Sequence, residues 1–350
     1  MRFDYQSQPM RVRFGVGSLA VLPEEIQRLG LRRVLVLATP GQKDLAEGVS
    51  KLVGPLSGGV YAEAKMHVPI ESARLAREAA VMANADGYVT VGGGSTTGLG
   101  KAIALEFGAP IIAVPTTYAG SEMTPVWGLT EAGEKRTGND PKVLPVSVIY
   151  DPELTVGLPV GLSVTSGFNA IAHAVEALYA PDASPIISLM AEEGARALSS
   201  SMPRIVKSPG DIEARSAALY GAWLCGATLG ATTMSLHHKL CHTLGGTFNL
   251  PHAQTHTVVL PYALNYNADH APQAVAALTR AFGTDKPARH LRQLSIDLGA
   301  PGSLRELGLS DGDVETVVAI ATKNPYANPR PVTADGIRAL ISAALNGEPI

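Results

Sequence analysis

A chain of 350 residues has room for one large unit or two medium domains. Its net charge of −3, with both signs scattered, excludes the basic surface that nucleic acid or an anionic membrane would require. Hydrophobic residues make up 46% and charged residues only 17%, below the ~25% of an ordinary globular chain, so much surface must be hidden in a core and in a subunit interface. No segment reaches the ~18 apolar residues that span a bilayer, and the first residues carry no apolar secretion stretch. Two cysteines, Cys225 and Cys241, make no disulfide framework. A cytoplasmic protein, binding neither nucleic acid nor membrane, is expected.

In chain order, RVRFGVG reads as a strand ending in a turn and LPEEIQRLG as a helix closed by Gly30. Strand candidates follow at 33–38, 59–63, 87–91, 110–114 and 147–150. Between the second and third, ESARLAREAAVMANA sets Leu75, Ala76, Ala79, Ala80 and Met82 at a helical period. Strand–helix alternation predicts an α/β Rossmann-like domain, with a parallel, doubly wound sheet, over residues 1–155. After Asp151 the β-type runs cease. Ala-rich helical windows take over, with Pro181, Pro203, Pro209 and Pro251 at the joins, and predict an all-α helical domain over 156–350. A last helix at 333–346 has Thr333 as N-cap and Gly347 beyond its end. The low charged fraction adds the expectation of a homodimer.

Gly92, Gly93, Gly94 and Ser95 follow the strand GYVTV and open a helix, KAIALEF. Free backbone N–H groups and the positive helix end there suit a pyrophosphate, and glycines allow its close approach. Named patterns do not fit: a Rossmann glycine pattern would need Gly at Thr97, and a P-loop would need Gly at Ser95 and Ser or Thr at Ala102. A tight strand-to-helix turn would read similarly. After the next strand, Thr116 and Thr117 place hydroxyls where ligands bind in open α/β sheets, although an ordinary turn also favours them.

Five of the nine histidines fall within SLHHKLCHTLGGTFNLPHAQTH. His238 and His242 are four apart, on one helical face, and His252 follows Pro251. Upstream, Asn169 and His173 are four apart on another helix whose core stripe is Phe168, Ile171, Ala172, Val175 and Leu178. Together these residues form a convergent site, and His173, His238 and His252 could supply nitrogen ligands to a divalent transition metal. His237, His256, His67, His270 and His290 read as structural. Cys225 reads as a small apolar core residue. Cys241 adjoins His242 at i and i+1, where helical side chains diverge, which argues against a Cys–His nucleophile.

GGGSTTGLGKAIAL, then PTTYAGSE, then N-A-I-A-H, then H-K-L-C-H and N-L-P-H resemble, in order and over essentially the whole chain, the iron-containing alcohol dehydrogenase superfamily. The sequence is most similar to the branch that reduces the carbon–carbon double bond of maleylacetate to 3-oxoadipate in aromatic degradation. By motif, the metal positions of the superfamily fall on Asn169, His173, His238 and His252. Asn169 stands where metal-dependent members have Asp, and Gly98 where many have Asp in the glycine loop. With the one anionic ligand gone, and a branch understood to work without metal, the resemblance implies no metal. It also implies that Gly92–Ser95 hold the cofactor pyrophosphate and that Thr116 and Thr117 lie near the nicotinamide. Thr39 corresponds to an acidic residue in NAD-selective relatives, so either NADH or NADPH is expected.

The implied chemistry is hydride transfer to the alkene carbon β to a ketone, with negative charge developing on the ketone oxygen. N–H donors of the histidine cluster, chiefly His242 and His252, would hold that oxygen and return a proton. Cationic partners for a small dicarboxylate substrate come from Lys135, Arg136, Lys239 and Arg330. Two other readings stand beside this one. The first is a metal-dependent alcohol or polyol dehydrogenase. The second is a lyase like dehydroquinate synthase, which needs a richly basic phosphate pocket where this segment offers only Lys239.

Overall fold

The computed structural model describes residues 3–131 and 134–350, with only the backbone of Glu134 and Lys135. The chain divides into two compact units, one of Gln8–Leu158 and the other of Pro159–Ile350 with the segment up to Ser7.

The first unit runs β1 (Arg11–Phe14), α1 (Leu22–Arg28), β2 (Val34–Leu37), α2 (Lys43–Val53), β3 (Ser57–Tyr61), α3 (Ile70–Met82), β4 (Gly87–Gly92), α4 (Gly94–Phe107), β5 (Ile111–Pro115), β6 (Val126–Glu131), β7 (Glu134–Asn139) and β8 (Ser147–Tyr150). Six of these strands form one sheet in the order β1-β8-β5-β4-β2-β3, parallel throughout. The sequence of β2, VLVL, shows why both faces are covered. Val34 and Val36 join one apolar cluster with α1 and α2, while Leu35 and Leu37 join another with α3 and α4. A strand buried on both sides reads as a continuous apolar run, as the sequence suggested.

The antiparallel pair β6-β7 was not expected. Its residues, VWGLTE and EKRTGN, lack an apolar alternation. They pair because Gly138 leaves room for the Trp127 ring, whose Cζ2 would lie 2.5 Å from a Cβ at that position.

The second unit is helical: α5 (Val160–Leu178), α6 (Pro185–Lys207), α7 (Ile212–Ala231), α8 (Leu236–Phe248), α9 (His252–Asn267), α10 (Pro272–Phe282), α11 (Pro287–Asp297), α12 (Val314–Thr322) and α13 (Ala334–Asn346). Among the described residues no strand lies in it, and no helix of the chain is long and apolar enough to cross a membrane. Thr333 caps α13 by accepting from Gly336 N, and Gly347 closes it at φ +67°. Pro203 does not end a helix as expected but lies inside α6. Met202 and Ile205 are buried on either side of it, and their packing offsets the one backbone bond that proline removes. α6 and α7 touch through glycine: a Cβ on Gly194 would sit 2.7 Å from Cys225 Sγ, and one on Gly221 2.9 Å from Gly194 O. Cys225 is there as a small apolar filler, its thiol pKa raised by burial.

Candidate active site

In the sheet of the first unit, chain order reverses between β2 and β4, which is where open α/β folds take ligands. Three turns leave the carboxyl ends of neighbouring strands there: Thr39 after β2, Gly92–Ser95 after β4, and Thr116–Thr117 after β5. Gly92 has φ +152°, and a Cβ on it would collide with Thr96 Oγ1 and lie 2.7 Å from Gln42 Oε1. A Cβ on Gly93 would lie 2.9 Å from Thr117 Cγ2. Gly93 is the N-cap of α4, without a side-chain cap and with no acidic residue in the first turn. The first amides of α4 and its positive end are therefore left for an anion, and the cradle fits a pyrophosphate.

Sequence reasoning missed two residues of this edge. Gln42 donates Nε2 to Thr116 Oγ1 at 2.6 Å and takes a long bond from Thr39 Oγ1 at 3.5 Å. Lys101, on α4, turns inward and is fully buried. Its Nζ donates to Ser121 O (2.7 Å), Thr124 O (2.8 Å), Thr124 Oγ1 (3.0 Å) and Val126 O (2.7 Å). Burial pushes its pKa down to about 7, with Glu122 pulling the other way. Lys101 thus ties α4 to the segment that follows Thr117.

In the helical unit, α5 presents Asn169, His173 and Glu176 at i, i+4 and i+7, along one face. Asn169 Nδ2 lies 3.3 Å from His173 Nε2, His173 Nδ1 lies 2.9 Å from His238 Nε2, and His238 Nδ1 lies 2.7 Å from Glu176 Oε2. All four are buried. His242 and His252, in contrast, are exposed. The His242 ring centroid is 6.1 Å from that of His238, and the His252 centroid is 4.4 Å from that of His256. The expected residues of this group therefore sort into a buried set and an exposed pair.

His237 and His256, read from sequence as structural, belong to the same cluster. His237 Nε2 lies 2.9 Å from His256 Nδ1 and 3.7 Å from Cys241 Sγ. Burial, then the neighbouring imidazoles, holds both histidines well below their ordinary pKa. The His252, His256 spacing is itself i, i+4 and was the signal available in the sequence. Burial and the nearby Glu176 carboxylate raise the Cys241 pKa, so it stays a thiol and no nucleophile. Glu176 was missed altogether.

Of the four cations considered, Arg136 is in an exposed ion pair with Glu131 at 3.0 Å. Arg330 lies over the Tyr266 ring at 4.3 Å. The Lys135 side chain is outside the described residues. Lys239 makes no ion pair among the described residues and stands one turn before His242.

A six-stranded parallel sheet with an anion cradle, and a helical unit with nested imidazoles, define a nicotinamide-dependent oxidoreductase of metal-associated type. Family models agree along most of the chain: "iron-containing alcohol dehydrogenase" matches residues 9–152 and "Fe-containing alcohol dehydrogenase family, C-terminal" matches 163–345. The chain belongs to the iron-containing alcohol dehydrogenase family. It is 55% identical to the maleylacetate reductase of Burkholderia cepacia, over 99% of this chain and 98% of that one. Among solved structures it is similar to a maleylacetate reductase from Agrobacterium tumefaciens (52% identity, TM-score 0.97, all of both chains). It is also similar to a protein of Ralstonia eutropha JMP134 described as a "putative" alcohol dehydrogenase (60% identity, TM-score 0.98, 99% of both chains).

Family membership corrects one expectation. The absence of metal inferred from Asn169 does not stand, because the family is an iron-containing one and iron is the metal to expect. The residues present fit such an ion. His173 and His238 are buried neighbours that can each present Nε2 as a lone-pair nitrogen, and Glu176 faces the other nitrogen of His238, as carboxylates commonly brace metal-bound imidazoles. The loss of one carboxylate at Asn169 makes the donor set neutral without removing its nitrogens.

Proposed function

We propose that this protein reduces the carbon–carbon double bond of maleylacetate to give 3-oxoadipate, using NADH or NADPH. The observation that carries this reading is identity of about half, over the full length, with maleylacetate reductases. Gly92–Ser95 hold the cofactor pyrophosphate, Thr116 and Thr117 lie beside the nicotinamide, and Thr39 leaves room for either ribose. His173 and His238, with Asn169 beside them, would hold the metal ion, which when bound supplies Lewis-acid polarisation of a substrate oxygen.

The chain's own groups do the rest. A bound nicotinamide would supply hydride to the alkene carbon β to the ketone, the alkene pair becoming the enolate C=C bond and the carbonyl π pair settling on the ketone oxygen. Exposed N–H donors on His242 and His252 stabilise that oxygen and deliver a proton to the α carbon, completing the addition of one hydride and one proton. Lys239, without an ion pair among the described residues and on the turn before His242, receives a substrate carboxylate. The dicarboxylate therefore binds by its charge while the imidazoles meet its ketone. Two buried free cysteines accord with a cytoplasmic setting. The exposed apolar side chains of Val81, Met82 and Leu189 accord with a homodimer.

A second reading, an alcohol or polyol dehydrogenase, is favoured by the likeness to the Ralstonia eutropha protein. Incubating the purified protein with NADH and maleylacetate decides between them. Stoichiometric NADH oxidation with formation of 3-oxoadipate is expected, and no NADH oxidation would overturn the proposal.

A further inference from the structure

Glu176 touches neither cofactor nor substrate in the reaction above, yet it is fully buried against the imidazoles that do the work. Its Oε1 accepts from His237 N at 2.7 Å, and its Oε2 accepts from Ser235 N at 2.8 Å and faces His238 Nδ1 at 2.7 Å. A carboxylate ringed by N–H groups accepts only, so His238 carries a proton on Nδ1. At the other end Asn169 Nδ2, which only donates, faces His173 Nε2. That nitrogen must accept, which puts the His173 proton on Nδ1, facing His238 Nε2. The Glu176 end decides the direction, and the Asn169 amide accords with it. Every proton points one way, from Asn169 through His173 and His238 to Glu176. A doubly protonated His238 would force the His173 proton onto Nε2, against the Asn169 amide hydrogens.

We propose that Glu176 is a positioning residue whose buried carboxylate fixes the Nδ1–H tautomer of His238, and through it that of His173, so that both rings offer Nε2 as the lone-pair nitrogen. This rests on the reading of His173 and His238 as site residues, but not on the identity of the substrate. Glu176 also receives two amides at the start of α8, so a purely structural cap is the rival explanation.

The test uses the full chain with 15N-labelled histidine, freed of metal by chelation, and long-range 1H–15N correlation spectra. His238 and His173 should each show a protonated Nδ1 and a lone-pair Nε2. Glu176→Leu should scatter these tautomers. It should lower kcat by ~10–100-fold and weaken Zn2+ binding by a similar factor, while KM for NADH stays near wild type. Glu176→Gln can still accept from His238 and Ser235 with its one oxygen, and should recover most of the loss. A wild-type His238 protonated on Nε2 or on both nitrogens would overturn the proposal, as would a folded Glu176→Leu variant with wild-type tautomers and kcat. The wild-type spectrum decides even if the leucine variant fails to fold. A protein inactive on maleylacetate but showing these tautomers would refute the substrate and leave the role of Glu176 standing.

Discussion

Gln42 donates its side-chain amide to Thr116 Oγ1 across 2.6 Å, linking turns 74 residues apart in sequence. Its Oε1 also lies where a Cβ on Gly92 would approach to 2.7 Å. One side chain thus sets the spacing of the turns after β2, β4 and β5. Gln42→Ala removes that link while leaving the backbone cradle. The Kd for NADH, read by fluorescence titration, should rise about tenfold, as for one net hydrogen bond of ~1.4 kcal/mol, with kcat little changed. An unaltered Kd would show that the turns hold their places without Gln42.

Thr39 begins the short turn that carries Gln42 and presents no charge. Both NADH and NADPH should serve as hydride donors. Thr39→Asp should weaken NADPH selectively, because a carboxylate bonds the ribose 2′-OH and repels a 2′-phosphate. A wild-type preference for NADH beyond ~100-fold, about 2.7 kcal/mol, would mean that another residue discriminates.

The parallel sheet was legible because two-sided burial leaves an unmistakable mark: runs such as VLVL and IIAV cannot face water. Gly92–Ser95 drew notice because three glycines stand between a strand and a helix, and the structure puts Gly92 at φ +152°, a backbone position that side chains rarely adopt. The hairpin of β6 and β7 was not, because its pairing depends on a Trp127–Gly138 contact rather than on periodicity. Asn169 with His173, and His238 with His242, were singled out through i, i+4 spacing, and His252 as a loop histidine after Pro251, although it is the first residue of α9. Glu176 escaped because a lone glutamate in an apolar helix reads as ordinary. Its meaning comes from partners about 60 residues away, at Ser235, His237 and His238. Gln42 and Lys101 escaped likewise, since their partners are turns brought close only by the sheet.

Glu25 supplies a test of stability. It is fully buried and paired with Arg11 (3.0 Å), Arg13 (3.2 Å) and Arg28 (2.9 Å). Burial raises its pKa, but hydrogen bonds from Arg28, Ser147 and Arg13 more than offset this and hold it below its ordinary value of 4.5. A carboxylate with a depressed folded pKa stabilises fully above its unfolded value and loses that contribution as pH falls through the folded one. Wild-type Tm should therefore fall steeply below about pH 4.5. Glu25→Gln should already be destabilised at neutral pH by ~3 kcal/mol, and its Tm should decline less over the acidic range. Parallel acid profiles for the two proteins would remove Glu25 from this role.

His242 and His252 are exposed, so replacing either with alanine leaves no cavity in the core. Loss of one oxyanion donor should lower kcat by ~10²–10³ while Tm and the Kd for NADH stay close to wild type. Lys239→Ala should instead raise KM for the dicarboxylate, with a smaller effect on kcat. Should His242→Ala and His252→Ala both turn over at the wild-type rate, the exposed imidazoles do not hold the developing charge.

The central claim is that this site serves an activated alkene rather than a simple alcohol. An enolate is a far more stable anion than an alkoxide, so a site that polarises the ketone and donates hydrogen bonds to its oxygen favours the alkene reaction. The most direct measurement is kcat/KM on one preparation for maleylacetate with NADH, set against ethanol, 1,3-propanediol and glycerol with NAD+. A preference for maleylacetate by orders of magnitude is predicted. Efficient oxidation of those alcohols, with maleylacetate ignored, would contradict the account and make this an alcohol dehydrogenase.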